Sequence, residues 1–245
     1  MSTSGQKSPL RDKVGIITGA SSGIGIATAQ MLARAGMKLL LVARSEEKLT
    51  AAAEGLNAAV TLPIDVTADG AAEKILSTAV ETYGQVDALV NNAGMMVIGS
   101  VDDLDLDKAM SMVRLNVEAA FRLAILVARQ MKCQGAGYIL NVSSVAGLKT
   151  GPELSVYNGT KFAIEGFTDA LRMELATEGI RVGSIEPGTV KTRLYDSWDK
   201  DQVDMINSGG ALDADDIARS ITFMLEQPDH MTIARLFAMP SRLGI

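Results

Sequence analysis

The chain has 245 residues, enough for one α/β domain or two smaller ones, and at 47% hydrophobic and 21% charged it has the make-up of an ordinary globular protein with a sizeable core. A formal net charge of −6, with no run of like charges, argues against a nucleic-acid or anionic-membrane surface. The single cysteine, Cys133, rules out an internal disulfide, and with only one histidine as well a Cys/His zinc site is excluded, so no metal is expected.

From the start of the chain, Met1 to Lys13 is polar and lacks the apolar centre of a signal peptide. Apolar segments such as Met37–Ala43 are too short to span a bilayer. The expectation is a soluble cytoplasmic protein with residues 1–12 as a mobile tail. Strands are predicted at Val14–Thr18, Lys38–Ala43, Ala59–Ile64, Ala88–Asn91, Gly137–Val142, Arg181–Glu186 and Arg235–Ala238. Between them, amphipathic stretches predict helices over Gly23–Ala35, Glu46–Leu56, Gly70–Tyr83, Leu106–Met131, Ser155–Glu178 and Asp213–Leu225. Strands that are apolar throughout are buried on both faces, as in a parallel sheet. The alternation predicts one α/β domain over 13–245, a doubly wound parallel sheet of about seven strands.

Such sheets bind ligands outside the carboxyl ends of their strands. After the first strand, Thr18-Gly19-Ala20-Ser21-Ser22-Gly23-Ile24-Gly25 offers glycines for a tight turn and a helix N-terminus for a phosphate. After the second strand comes Arg44-Ser45, where an acid would suit ribose hydroxyls; the planar fork of an arginine suits a 2′-phosphate. Asp65-Val66 follows the third strand, and Asp65 either touches a bound base or caps the next segment. Asn92-Ala93-Gly94 follows the fourth strand, with small residues and amides. After the fifth, Ser144 is positioned to hydrogen-bond a substrate oxygen, although serine pairs are common in loops. After the sixth, Pro187-Gly188-Thr189-Val190-Lys191-Thr192 forms a loop able to close over a ligand.

Tyr157 and Lys161 stand four apart in a predicted helix, which puts both on one face. An ammonium beside a phenol favours phenolate, and lowering the ordinary value of about 10 by about three pH units would poise the tyrosine near neutrality. The same spacing occurs on many helices without chemistry, so its weight comes from the rest of the chain.

Taken together, Thr18 to Gly25, Asn91 to Gly94, Asn116, Ser144, Tyr157-x-x-x-Lys161 and Pro187-Gly188 resemble the short-chain dehydrogenase/reductase family over residues 13 to 192. The resemblance implies a Rossmann-type fold, a nicotinamide dinucleotide and hydride transfer to or from a carbonyl or alcohol carbon. It implies that Tyr157 is the general acid/base, that Lys161 lowers the tyrosine pKa and holds the nicotinamide ribose, and that Ser144 polarises the substrate oxygen. Asn116 would hold a water linking Lys161 to solvent. The cofactor set it implies is Gly19, Ser21, Ser22, Gly23, Ile24, Gly25, Arg44, Ser45, Asp65, Val66, Asn92, Ala93, Gly94, Tyr157, Lys161, Pro187, Gly188, Val190 and Thr192, with Arg44 pointing to NADP(H).

The family's variable substrate lid corresponds to residues 193–212, with Arg193, Tyr195, Trp198, Val203 and Met205. Tyr195 and Trp198, together with Met95, Met96, Leu148 and Leu154, either line an apolar substrate pocket or simply pack. The expected partners are a small carbonyl or alcohol substrate and further copies of the chain, as a homodimer or homotetramer. The alternative reading is a non-catalytic NADP(H)-binding regulator or structural subunit on the same fold.

Overall fold

The computed structural model describes residues 8–192, 194 and 210–242. Seven strands, β1 (Val14–Thr18), β2 (Lys38–Ala43), β3 (Ala59–Pro63), β4 (Ala88–Asn91), β5 (Gly137–Val142), β6 (Ile180–Pro187) and β7 (Arg235–Ala238), form one sheet in the order β3-β2-β1-β4-β5-β6-β7. Every pairing is parallel. The strands form where expected, with β3 ending at Pro63 and β6 running from Ile180 to Pro187.

Alternate residues of each strand point to opposite faces, and both faces are covered. Leu39, Leu41, Val90, Leu140 and Ile185 pack with Leu32, Leu49, Ile217 and Ile221. These partners come from α1 (Gly23–Arg34), α2 (Glu46–Ala53) and α7 (Ala214–Leu225). On the other face, Leu40, Leu89, Ile139 and Val182 pack with Ile75, Leu123, Val127 and Leu171. Those come from α3 (Ala71–Tyr83), α5 (Ala120–Gln134) and α6 (Ser155–Leu175). Burying one such aliphatic side chain is worth about 1.5–3 kcal/mol, so the two-sided sheet explains why the strands carry no polar face.

Two expectations are corrected. The helix expected over 106–131 is α4 (Leu106–Val113), a π-helical stretch (Arg114–Ala119) and then α5. The apolar repeat continues through the wider turn, which is why periodicity alone reads one helix. Helices α2 and α6 stop at Ala53 and Leu175, because Gly55 and Gly179 just beyond them take positive φ of 74° and 71°.

The order of strands reverses between β1 and β4, and the chain bridges this switch point with side chains. Thr18 Oγ1 accepts from Asn92 N and Ala93 N, both at 2.9 Å, and Asn92 Nδ2 donates to Thr18 O at 2.9 Å. Asn91 Nδ2 donates to Asn141 Oδ1 at 3.2 Å and to Ala120 O at 2.9 Å, while Asn141 Nδ2 donates to Thr168 Oγ1 at 2.8 Å. These buried bonds fix the carboxyl ends of β1, β4 and β5 against α5 and α6. Among the described residues no helix is long and apolar enough to cross a membrane.

Candidate active site

A cleft of about 860 Å³ opens at that switch point, along the carboxyl ends of the strands. One end is a backbone cradle. Gly19 and Gly23 take positive φ of 66° and 53°, and a Cβ on Gly25 would lie 2.2 Å from the Gly19 carbonyl oxygen. The turn therefore closes only on glycine. Helix α1 begins at Gly23, and Ser22 before it makes no side-chain cap bond, so the first-turn N–H groups face the cleft with the positive end of the helix dipole. Gly19, Ser21, Ser22, Gly23 and Ile24 line the cleft; Gly25 shapes it from behind.

Beyond the cradle, Arg44 and Ser45 line the cleft at the end of β2. Ser45 also caps α2, accepting from Lys48 N at 3.4 Å. Asp65 and Val66 line it as well, and the capping reading of Asp65 is realised: its Oδ1 accepts from Thr67 Oγ1 at 2.7 Å and Thr67 N at 2.9 Å. Those bonds, with a smaller contribution from Arg44, hold its carboxyl below the usual carboxylate range. Asn92, Ala93, Gly94 and Met95 form the wall from β4, and Pro187, Gly188, Val190 and Thr192 form the wall from β6. A Cβ on Gly23 would lie 3.1 Å from Thr192 Cγ2, so the loop after β6 closes onto the cradle.

The other end is built from side chains of β5 and α6. Ser144, Tyr157 and Lys161 all line the cleft. Ser144 Oγ accepts from Ala146 N at 3.1 Å, which leaves its own O–H to donate. Asn158 Nδ2 donates to Ala146 O at 2.7 Å and Lys149 O at 2.8 Å, pinning the single 3₁₀ turn after Ser144 (Val145–Gly147) to α6. Tyr157 is 5% exposed. Lys161 is buried, with Nζ donating to Val142 O at 3.1 Å and lying 5.8 Å from the Tyr157 ring centroid. Burial pulls the Lys161 ammonium down to about 8, against the opposing pull of Glu165.

The structure does not bring every expected residue to the cleft. Asn116 stands behind it in the π-helical stretch, where the wider turn aims its side chain inward. Its Oδ1 accepts from Met95 N at 2.9 Å, and its Nδ2 donates to Met95 O at 2.8 Å and Thr160 Oγ1 at 3.3 Å. Its two amide hydrogens are thus committed to bracing β4's loop against α6. Leu148 is partly exposed and does not line the cleft; Leu154 does not line it either, but packs against the cluster of Met96, Met112 and Tyr157, of which Met96 and Tyr157 line the cleft. Arg193, Tyr195, Trp198, Val203 and Met205 lie outside the described residues, but the ends of their segment are stitched together by Lys191 N to Leu212 O and Leu212 N to Thr189 O, each 2.9 Å.

Lys48, Thr67, Ser111, Arg114, Ser143 and Leu194 also line the cleft. Nothing in their local sequence marks them. Asn158 lies inside the Tyr157–Lys161 interval, where only the two ends carried a signal.

The residues present fit the dinucleotide that the resemblance implies: a side-chain-free cradle at a helix N-terminus, a cation at the end of β2, and a tyrosine and lysine at the far end of one continuous cleft. Residues 13–203 match the family model described as short chain dehydrogenase. An uncharacterized oxidoreductase of Staphylococcus saprophyticus is 33% identical over 236 residues, covering 94% of this chain and 98% of the relative. One from Staphylococcus aureus is 32% identical with the same coverage. Among solved structures, the 3-ketoacyl-(acyl-carrier-protein) reductase from Brucella melitensis complexed with NADH superposes with a TM-score of 0.86 at 29% identity, covering 95% of this chain and 99% of that one. Levodione reductase superposes with a TM-score of 0.85 at 26% identity, covering 93% and 96%. The chain belongs to the short chain dehydrogenase family, and its seven-stranded parallel sheet flanked by helices is the Rossmann-like fold of the solved relatives.

Proposed function

We propose that this chain is an NADP(H)-dependent oxidoreductase acting on a carbonyl or secondary alcohol, with Tyr157 as the general acid/base. The observation that carries this reading is that Tyr157, Ser144 and Lys161 line the same cleft as the glycine cradle and Arg44. When bound, the nicotinamide supplies or accepts the hydride. The cradle of Gly19, Ser21, Ser22 and Gly23 would bind the pyrophosphate, and Arg44 would donate to the 2′-phosphate, with Lys48 lining the same cleft. Ser144 donates its O–H to the substrate oxygen, where negative charge grows during reduction. Tyr157 gives its Oη proton to that oxygen in reduction and takes it back in oxidation. Lys161 holds positive charge beside the phenol, which favours the phenolate form.

Two solved relatives with similar folds are reductases by name, and one was crystallised with NADH, which supports the nicotinamide class. Arg44, with no acid at the end of β2, favours NADP(H). The test is a screen of NADPH and NADH oxidation against ketones, aldehydes and 3-keto acids. Turnover of at least one carbonyl class, with NADPH preferred, is expected. No turnover with any substrate, together with full cellular function in Tyr157→Phe, would favour the regulatory alternative.

A further inference from the structure

Two carboxylic acids that the reaction does not use are buried directly behind the corner. Glu165 stands one turn after Lys161 on α6, on the same face. Glu186 lies on β6. Glu165 is 3% exposed and Glu186 is 1% exposed. Ser184 joins them, its Oγ donating to Glu165 Oε2 at 3.0 Å and standing 3.5 Å from Glu186 Oε1. Arg235 on β7 covers the pair from solvent, with Nε 3.5 Å from Glu165 Oε2 and 3.9 Å from Glu186 Oε1. Among the described residues, Glu165 Oε1 and Ser143 Oγ are buried without a hydrogen-bond partner. Both flank Gly147, where a Cβ would come within 3.0 Å of Ser143 Oγ and of Glu165 Cγ.

Two buried acids this close do not both ionise cheaply, so the pair holds one proton over much of the pH range. Burial, and then the neighbouring Glu165, push the Glu186 carboxyl up to about 7. Glu165 is the member one helical turn from Lys161, and its Oε2 lies 3.5 Å from Arg235 Nε. Lys161 has the opposite difficulty, since burial disfavours its ammonium and Glu165 is what opposes that loss. Among the described residues the other charged groups beside the pair are Asp169 and Arg172 on α6 and Arg235 on β7, with Tyr157 one turn before Lys161; Arg172 and Arg235 both bond Asp169. The neighbouring residues of β5 and the turn after it, Val142, Ser143 and Gly147, are uncharged.

We propose that Glu165 is a positioning residue that keeps Lys161 charged inside the closed site, and that Glu186 supports it as the protonated member of the pair. The proposal rests on the tyrosine–lysine reading above but is tested apart from it. Lys161 is titrated in the chain without dinucleotide, by NMR of ¹³C-labelled lysine side chains. In Glu165→Gln, which keeps the shape and an oxygen for Ser184 to donate to, the Lys161 midpoint should fall by about one pH unit, a tenfold change in proton affinity. Glu165→Asp should restore part of it. In Glu186→Gln the fall should be smaller, because Glu165 itself remains.

A second readout keeps the proposal falsifiable should Glu165→Gln fold poorly. The folded chain holds the Glu186 proton between the ordinary carboxyl value of 4.5 and about 7, so wild-type stability falls as pH rises through that window. Glu186→Gln should flatten that fall in a series of thermal melts. An unmoved Lys161 midpoint in Glu165→Gln and Glu165→Asp, or an unaltered melting profile in Glu186→Gln, would overturn the proposal. If the midpoint moves and the chain binds no NADPH, the positioning role stands and the oxidoreductase reading fails.

Discussion

The glycine turn after β1 and the corner between β5 and α6 lie along one cleft, yet the first is made of backbone and the second of buried side chains. The turn works by omission: Gly25 leaves room for the Gly19 carbonyl, and on the proposed reading the first-turn N–H groups are what a phosphate meets. The corner works by accumulation: Lys161, Glu165, Glu186, Asn116 and Asn158 are each 8% exposed or less and held by specific hydrogen bonds. A backbone site is broken by adding an atom. A side-chain site is broken by removing a charge, and it weakens the fold while intact, since each buried charge carries a desolvation cost.

Adding one methyl to the turn should have the largest effect. Gly25→Ala puts a Cβ against backbone that has no rotamer to yield, so it should cost about 3 kcal/mol or more and abolish dinucleotide binding. Thermal melts and a fluorescence titration with NADPH check both. If Gly25→Ala binds NADPH normally, the cradle is not what the backbone suggests.

Removing the cation from the corner should separate stability from function. Below about 8 the folded chain pays to keep Lys161 charged, and the unfolded chain holds that proton more readily up to the ordinary 10.5. Wild-type stability should therefore rise as pH climbs from about 8 to 10.5. Lys161→Met should lose that rise and should melt higher at pH 7, by on the order of 2 kcal/mol. Its turnover should fall about 10²-fold or more. Melting curves across pH with a parallel activity assay decide it, and a variant that melts lower at every pH contradicts the buried-charge account.

Ser144→Ala removes one donor to the developing oxyanion and should lower turnover about 10²-fold with little change in NADPH affinity. Steady-state kinetics beside a binding titration separates the two. Arg44→Ala should have the smallest effect, weakening NADPH about 10-fold or more while leaving NADH nearly unchanged. Equal losses for both would remove the 2′-phosphate assignment.

The contrast also explains what could be read from the chain. The turn was legible because glycines are a local signal, and the strands because residues such as Leu39 to Val42 are apolar without a break. The pairing of Tyr157 with Lys161 was legible because one helix carries both. The break at Arg114–Ala119 was not, since Leu115, Val117 and Ala119 read as a continuing helix and nothing in them marks the wider turn, which buries Asn116. Nor was the bracing by Asn116, because Met95 and Thr160 meet it only through the packing of α4, α6 and the β4 loop. The spacing of Glu165 from Lys161 was visible, but its burial against Glu186 depends on how α6 lies on β6. Arg114 and Ser111 enter the cleft from a helix whose sequence has no motif.

The central claim is that Tyr157 moves the proton while other groups bind the dinucleotide. Its most direct test is Tyr157→Phe, assayed for carbonyl reduction beside an NADPH binding titration on the same preparation. The account predicts NADPH affinity within about threefold of wild type and turnover lower by about 10²–10⁴-fold. Turnover that survives the loss of the phenol would contradict it.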